Sequence, residues 1–227
     1  MSTDTLHVAL VLGGHPIDVP ATLEAFDSMD GIRAYPQDLP SFVANDGDAC
    51  ERYDAAVFYN YHGHGYCVDL TEEFARKARE TVCEITAGGL GIVALHHGVL
   101  AFPEMDEWTA VCGLPGDSNS DYHFDQRVRV DLASPDHPIT AGLPSFEYVD
   151  ETYEMDEPDA DSTLLLTTDH ERSADAIAWT RQYRDSRVFC YQSGHGRSAL
   201  EHGQVRTVLA RGIRWAAGAD GDAVTGT

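Results

Sequence analysis

Gly88-Gly89-Leu90-Gly91-Ile92-Val93-Ala94-Leu95-His96-His97-Gly98 is the stretch on which the fold turns. A glycine-marked turn leads into an apolar run too short for a helix, and a polar turn closes it before the next helical pattern. That sequence of events reads as a buried parallel strand feeding a helix. In an open α/β sheet, ligands gather outside the carboxyl ends of such strands, so His96 and His97 fall where chemistry is usually placed.

Working outward, residues 6–12 form a β-rich run that ends in Gly13-Gly14-His15-Pro16, and residues 54–61 form a second one that ends in His62-Gly63-His64. Pro20 opens a helix that Gly31 stops. A short strand is expected at 32–35, and the polar segment 36–52 reads as loop with one helical turn. Asp69 or Thr71 caps a helix running to about Ala87, with Phe74, Ala78 and Val82 on one face. Beyond the central stretch, residues 99–111 read as a helix interrupted near Pro103 and carrying Trp108. Residues 116–124 read as a polar loop, 127–132 as an exposed strand, and Phe146 as part of a short strand followed by Asp150-Glu151-Thr152-Tyr153. Three apolar runs at 163–168, 176–180 and 187–191 follow, the last ending in Ser193-Gly194-His195-Gly196. An amphipathic helix over 200–217 closes the domain. A single domain over 1–218 with a disordered tail over 219–227 is the expected organisation.

The chain has 227 residues and a formal charge of -23, yet 43% of it is hydrophobic, which argues for a packed core and against disorder. The acidity is spread along the whole length. Of the 15 basic residues, Lys77 is the single lysine and the rest are arginine. A carboxylate-rich, lysine-poor surface is expected of a cytoplasmic protein from a salt-accumulating, halophilic prokaryote, where high ionic strength screens self-repulsion. It argues against nucleic acid or an anionic membrane as partner. No apolar run reaches membrane-spanning length. The five cysteines are scattered, odd in number and contain no Cys-x-x-Cys pair, which speaks against a disulfide framework or a zinc knot.

Six of the 11 histidines (His15, His62, His64, His96, His97 and His195) lie at predicted strand ends. One histidine at a strand end is more often a structural hydrogen-bonding residue, but four such loops converging on one crevice point to a pocket. Imidazole suits zinc or iron, and one divalent metal (zinc, iron or manganese) is the cofactor this pattern allows, with His15, His96 and His195 as candidate ligands. No His-Glu-x-x-His motif and no Gly-x-Ser-x-Gly elbow is present. Cys190 sits inside a buried-looking strand, where a thiol is usually inert packing.

Taken together, Gly13-Gly14-His15-Pro16, Leu95-His96-His97-Gly98, Asp136-His137-Pro138-Ile139 with Gly142-Leu143-Pro144, Asp150-Glu151-Thr152-Tyr153 and Arg187-Val188-Phe189 leading to Gly194-His195 resemble the ThuA-like family of trehalose-utilisation proteins over about residues 6–217. The resemblance implies a flavodoxin-like, three-layer α/β sandwich with a mostly parallel central sheet, related to class I glutamine amidotransferases. In those enzymes a cysteine occupies the elbow where His96 stands here. A histidine cannot form the glutamyl thioester, so glutaminase activity is not expected.

What the resemblance implies of function is a part in the metabolism of trehalose or related disaccharides, including 3-keto sugars. His96, His195 and Glu151 are the expected catalytic residues, and His15, Asp18, Tyr59, His62, His64, His97 and Trp108 the substrate-binding ones, with Tyr61 in the same crevice. The expected partner is a small carbohydrate, and the architecture is compatible with a homodimer. The alternative is a non-catalytic module that binds a sugar or nucleotide on the same fold.

The charge reading has a direct check. Thermal melts in dilute buffer and in molar KCl are expected to differ widely, because unscreened carboxylates repel one another at low salt. Equal melting temperatures would count against a halophilic origin.

Overall fold

The computed structural model describes residues 5–44, 48–63, 71–115 and 121–219. His64 and the tail from 220 onward therefore lie outside the described residues. In chain order the elements begin with β1 (Leu6–Gly13), α1 (Val19–Asp27), β2 (Ile32–Asp38), α2 (Leu39–Val43), α3 (Ala49–Arg52) and β3 (Ala55–Asn60). The long α4 (Glu72–Ala87) leads to β4 (Gly91–Leu95), a 3-10 turn (His96–Leu100) and α5 (Asp106–Cys112). Then come β5 (Asp121–Leu132), β6 (Phe146–Glu154), β7 (Thr163–Thr167), β8 (Ala176–Tyr183), β9 (Ser186–Tyr191), α6 (Arg197–Leu200) and α7 (Gly203–Ala216).

The strands form one nine-stranded mixed sheet in the order β2-β1-β3-β4-β9-β8-β7-β5-β6. The pairings β1 with β2, β1 with β3, β3 with β4 and β4 with β9 are parallel. The remaining pairings are antiparallel.

Side chains alternate across each strand, and the alternation sorts the core into two layers. Val8, Leu10, Val57, Tyr59, Val93, Leu95, Phe189 and Tyr191 face Phe26 of α1 and Val205, Val208, Leu209 and Ile213 of α7. Their neighbours Ala9, Val11, Ala56, Phe58, Ile92, Ala94, Val188 and Cys190 face Ala78, Val82 and Ile85 of α4 and Trp108 and Val111 of α5. Helices on both faces of the parallel strands make a three-layer sandwich, as expected.

Local chemistry sets the boundaries. Asp18 caps α1 by accepting from the Ala21 N–H at 2.9 Å, and Thr71 caps α4 by accepting from the Phe74 N–H at 3.2 Å. In the segment expected to be loop, β2 runs on to Asp38, whose carboxylate then caps α2 through the Ser41 N–H at 2.8 Å. The expected closing helix is divided into α6 and α7 by Glu201 and His202. Among the described residues no helix is long and apolar enough to cross a membrane.

Two departures shape the site. The region read as a polar loop becomes strand from Asp121, and the Asp150-Glu151-Thr152-Tyr153 run lies within β6 and not after it. The β5–β6 ribbon pairs with β7 through Asp131 and Leu132, and a bulge at 123–126, with Asp125 at φ +56°, bends it. Although β6 stands at the end of the strand order, its side chains reach Ser193, Gly194 and His96 at the ends of β9 and β4. The ribbon thus folds back across the carboxyl ends of the parallel strands.

Candidate functional site

His96 is the residue at which β4 stops. Its backbone is left-handed, with φ +53°, a conformation that costs a non-glycine residue roughly 1–2 kcal/mol. The turn after it is pinned from below: Trp108 Nε1 donates to the Gly98 carbonyl at 3.0 Å, and a Cβ on Gly98 would lie 1.9 Å from the Phe58 carbonyl oxygen. Glycine is required there because β3 passes so close. The His96 ring is fully buried, and its Nδ1 lies 2.7 Å from the Gln192 carbonyl, an acceptor only. Nδ1 must therefore carry a proton, and the Nε2 edge of the ring faces the site.

The loop after β9 is held from three directions. Asp150 on β6 accepts from the Gly194 N–H at 2.6 Å and the His195 N–H at 3.0 Å, while Tyr59 donates its hydroxyl to the Gly194 carbonyl at 2.6 Å. Tyr148 is hydrogen-bonded to Ser193. Burial pushes the Asp150 carboxyl up to about 6, a rise that the nearby His96 and the two backbone N–H donors oppose. A buried carboxylate receiving two N–H bonds fixes where His195 stands, and losing it would orphan two donors at about 1–3 kcal/mol each.

From the opposite face of β6, at alternate positions, Glu151 and Tyr153 face the elbow. Tyr153 Oη lies 2.8 Å from His96 Nε2, and His195 Nδ1 lies 3.1 Å from the same atom. Glu151 turns Oε1 to His96 Nε2 and Oε2 to His195 Nδ1, each at 3.4 Å. Burial alone would raise the Glu151 carboxyl, but hydrogen bonding and charge from His96, with His195 and Tyr153, bring it below its ordinary range. Burial lowers His195, and the neighbouring His96 lowers it further against the pull of Glu151. Among the described residues, His96, Glu151 and His195 each offer one ligand atom within 4.8 Å of the others, a set able to hold a metal ion.

Beside this cluster opens a cleft of about 130 Å³, lined by His15, Tyr61, His97, Leu100, Tyr122, Phe124, Glu151 and Tyr153. The strand-end loops bring His15, His96, His97 and His195 close together, and Glu151 joins them from within β6. His97 stacks on Tyr59 with centroids 4.5 Å apart and lies 4.4 Å from the His15 ring. Neither of its ring nitrogens has a hydrogen-bond partner among the described residues. Burial, and then the charge of His96 and His15, hold it well below the usual histidine range.

Other expectations are corrected. Tyr59 and Trp108 do not reach the cleft: both are buried in the two core layers, where one anchors Gly194 and the other supports the Gly98 turn. Asp18 caps α1 and pairs with Arg197 at 3.3 Å instead of lining the cleft. His62 is set aside from the cluster, stacked on Phe102 at 5.8 Å and bonded through Nδ1 to Asn60. His15 does not join the metal-ligating group, and its Nδ1 lies 2.7 Å from the Pro16 carbonyl. Tyr153, Asp150, Tyr122 and Phe124 were not expected at the site. For Tyr153 the signal was present, two residues beyond Glu151 and so on the same face of a strand.

The profile of the family ThuA, described as trehalose utilisation, matches residues 19–216. The chain belongs to the ThuA family. Its fold is similar to that of a ThuA-like protein from Parabacteroides merdae, with TM-score 0.75 and 18% identity over 99% of this chain and 93% of that one. A cytoplasmic protein from Salmonella typhimurium is similar with TM-score 0.62 and 16% identity, over 92% of this chain and 98% of the other. A glutamine amidotransferase from Thermotoga maritima follows at TM-score 0.52 and 11% identity, covering 92% and 98%. At these identities the likeness concerns the fold alone. No curated protein sequence matches the ThuA chain.

The buried titrating groups set a pH dependence of stability. His97 has its folded pKa below the ordinary value of 6.5, so as pH falls through 6.5 protons bind preferentially to the unfolded chain and stability is lost. Asp150 acts in the opposite sense, taking a proton first in the folded state between about 6 and 3.8. Replacing His97 with Asn is expected to make the acid-side loss shallower by up to one proton, about 1.4 kcal/mol per pH unit, in urea unfolding at a series of pH values. An unchanged slope would contradict the burial of a neutral His97.

Proposed function

We propose that this ThuA-family chain takes part in carbohydrate metabolism, binding a small sugar such as trehalose or a related keto-disaccharide in the cleft and acting on it through the His96, Glu151 and His195 cluster. The supporting observation is the pairing of two surfaces. The floor is a buried set of imidazole, carboxylate and phenol groups, and the wall carries exposed aromatic rings. Tyr122 and Phe124 are 48% and 54% exposed, stand edge to face at 5.3 Å, and Phe124 lies 5.3 Å from the His195 ring. A sugar ring has an apolar C–H face and a polar rim of hydroxyls, so it can stack on such a wall while its oxygens meet the floor.

The same reading gives the elbow its role. His96 occupies the sharp turn after β4, and the side chains against its ring are Tyr153, His195 and Glu151, with no thiol among its partners in the described residues. With its Nε2 among Glu151, His195 and Tyr153, the elbow suits proton transfer or polarisation of a ligand oxygen, not thioester formation. Glutaminase activity is therefore absent from this reading.

Calorimetric titration with trehalose, its 3-keto derivative and other disaccharides tests it. Phe124→Ala should weaken the sugar that binds about tenfold while leaving the melting temperature unchanged, because the ring is exposed. His195→Ala should abolish turnover of that sugar. Binding without turnover in the parent chain would favour a non-catalytic sugar module, and no binding by any member of the panel would overturn the proposal.

A further inference from the structure

The geometry points to a divalent first-row cation, of the zinc class, held by His96 Nε2, His195 Nδ1 and the Glu151 carboxylate, with an open coordination position facing the cleft. The inference deepens the reading of this cluster as the working centre, but it does not depend on the ligand being a sugar.

Three observations carry it. First, the separations fit. His96 Nε2 to His195 Nδ1 is 3.1 Å, and the carboxylate lies 3.4 Å from each imidazole nitrogen. Metal–ligand bonds of about 2.0–2.1 Å in a tetrahedron place neighbouring ligand atoms about 3.3–3.4 Å apart, so a cation fits at the apex of this triangle with little movement. Second, the tautomer of His96 is fixed from behind. Its Nδ1–H donates to the Gln192 carbonyl at 2.7 Å, the outer hydrogen bond that orients a metal-binding imidazole and raises its basicity. His195 is fixed through its main chain by Asp150, and its Nδ1 becomes a ligand when its proton moves to Nε2. Third, the three groups converge although they come from the turn after β4, from β6 and from the loop after β9, and they leave one side open, since Glu151 lines the cleft.

Two histidines and one glutamate are a donor set used at catalytic zinc sites that keep a position free for water or substrate. Here a bound cation would polarise a ligand oxygen entering from the cleft, with the Tyr153 hydroxyl beside it to give or take a proton. The strong negative charge of the whole chain favours cations in general, so selectivity has to come from the imidazoles. Exposed carboxylates alone would prefer calcium or magnesium.

The test uses the full chain without a histidine tag, stripped with a chelator, then titrated with Zn²⁺ or Co²⁺ in high salt and analysed by elemental mass spectrometry. About one Zn²⁺ per chain is expected, and the Co²⁺ form should show intense visible bands of low-symmetry, four- or five-coordinate cobalt. Because His96 is fully buried and its loss could unfold the chain, the deciding variants are Glu151→Gln, which keeps the shape, and His195→Ala, whose side chain is 29% exposed. Each should weaken Zn²⁺ binding at least 100-fold while circular dichroism stays that of the parent. No stoichiometric cation, or binding that survives both substitutions, would overturn the assignment. Sugar binding is measured on the stripped and loaded forms separately. A chain that takes the cation and no sugar removes only the carbohydrate reading, and one that takes sugar but no cation removes only the metal site.

Discussion

The hydrogen bond from His96 Nδ1 to the Gln192 carbonyl joins the end of β4 to the end of β9, and the site depends on it. It sits on a residue held at φ +53°, so the backbone strain of the elbow and the orientation of the imidazole are settled together. A strain of roughly 1–2 kcal/mol is offset by buried hydrogen bonds worth about 1 kcal/mol each. With Nδ1 so engaged, the reactive edge of the ring has one direction left to face. That direction contains Tyr153, His195 and Glu151.

What fills that space is supplied by the antiparallel half of the molecule. The parallel strands are a scaffold common to the ThuA and amidotransferase-like folds, and the β5–β6 ribbon is what completes the pocket. One face of β6 uses Tyr148 and Asp150 to grip the loop that carries His195, while the other presents Glu151 and Tyr153 to the elbow. Both carboxylates are nearly inaccessible, yet their environments differ. Asp150 is raised to about 6 by burial although two main-chain N–H groups oppose the rise, and Glu151 is drawn down by the imidazoles around it. The first is a positioning residue, and the second is aimed at whatever enters the cleft.

The parallel scaffold was legible because each of its strands is a contiguous apolar run closed by a glycine- or histidine-bearing turn, and strand-end convergence then placed His15, His96, His97 and His195. The ribbon was legible only in part, as strands at 127–132 and around Phe146. Its first residues look polar because Tyr122 and Phe124 lie on an exposed edge, and the bulge at Asp125 breaks the alternation that marks a strand. Glu151 was legible as a site residue, but the burial of Asp150 and Glu151 comes only with the fold-back of β6. Parity explains the misplacement of Tyr59: it shares the inward face of β3 with Val57, so its ring belongs to the core. Trp108 falls with Val111 and Cys112 on the buried side of α5, a spacing that signals packing and not a ligand wall.

Two-bond nitrogen–proton correlation spectra of the histidine rings, with His96 assigned by comparison with a His96→Gln variant, would test the central arrangement most directly. The expected result is a proton on His96 Nδ1, with an Nε2 resonance that moves when Tyr153 is replaced by Phe. A His96 Nδ1 found without a proton would mean that the ring does not donate to the Gln192 carbonyl, and the geometry on which the elbow, the cluster and the cation site rest would be contradicted.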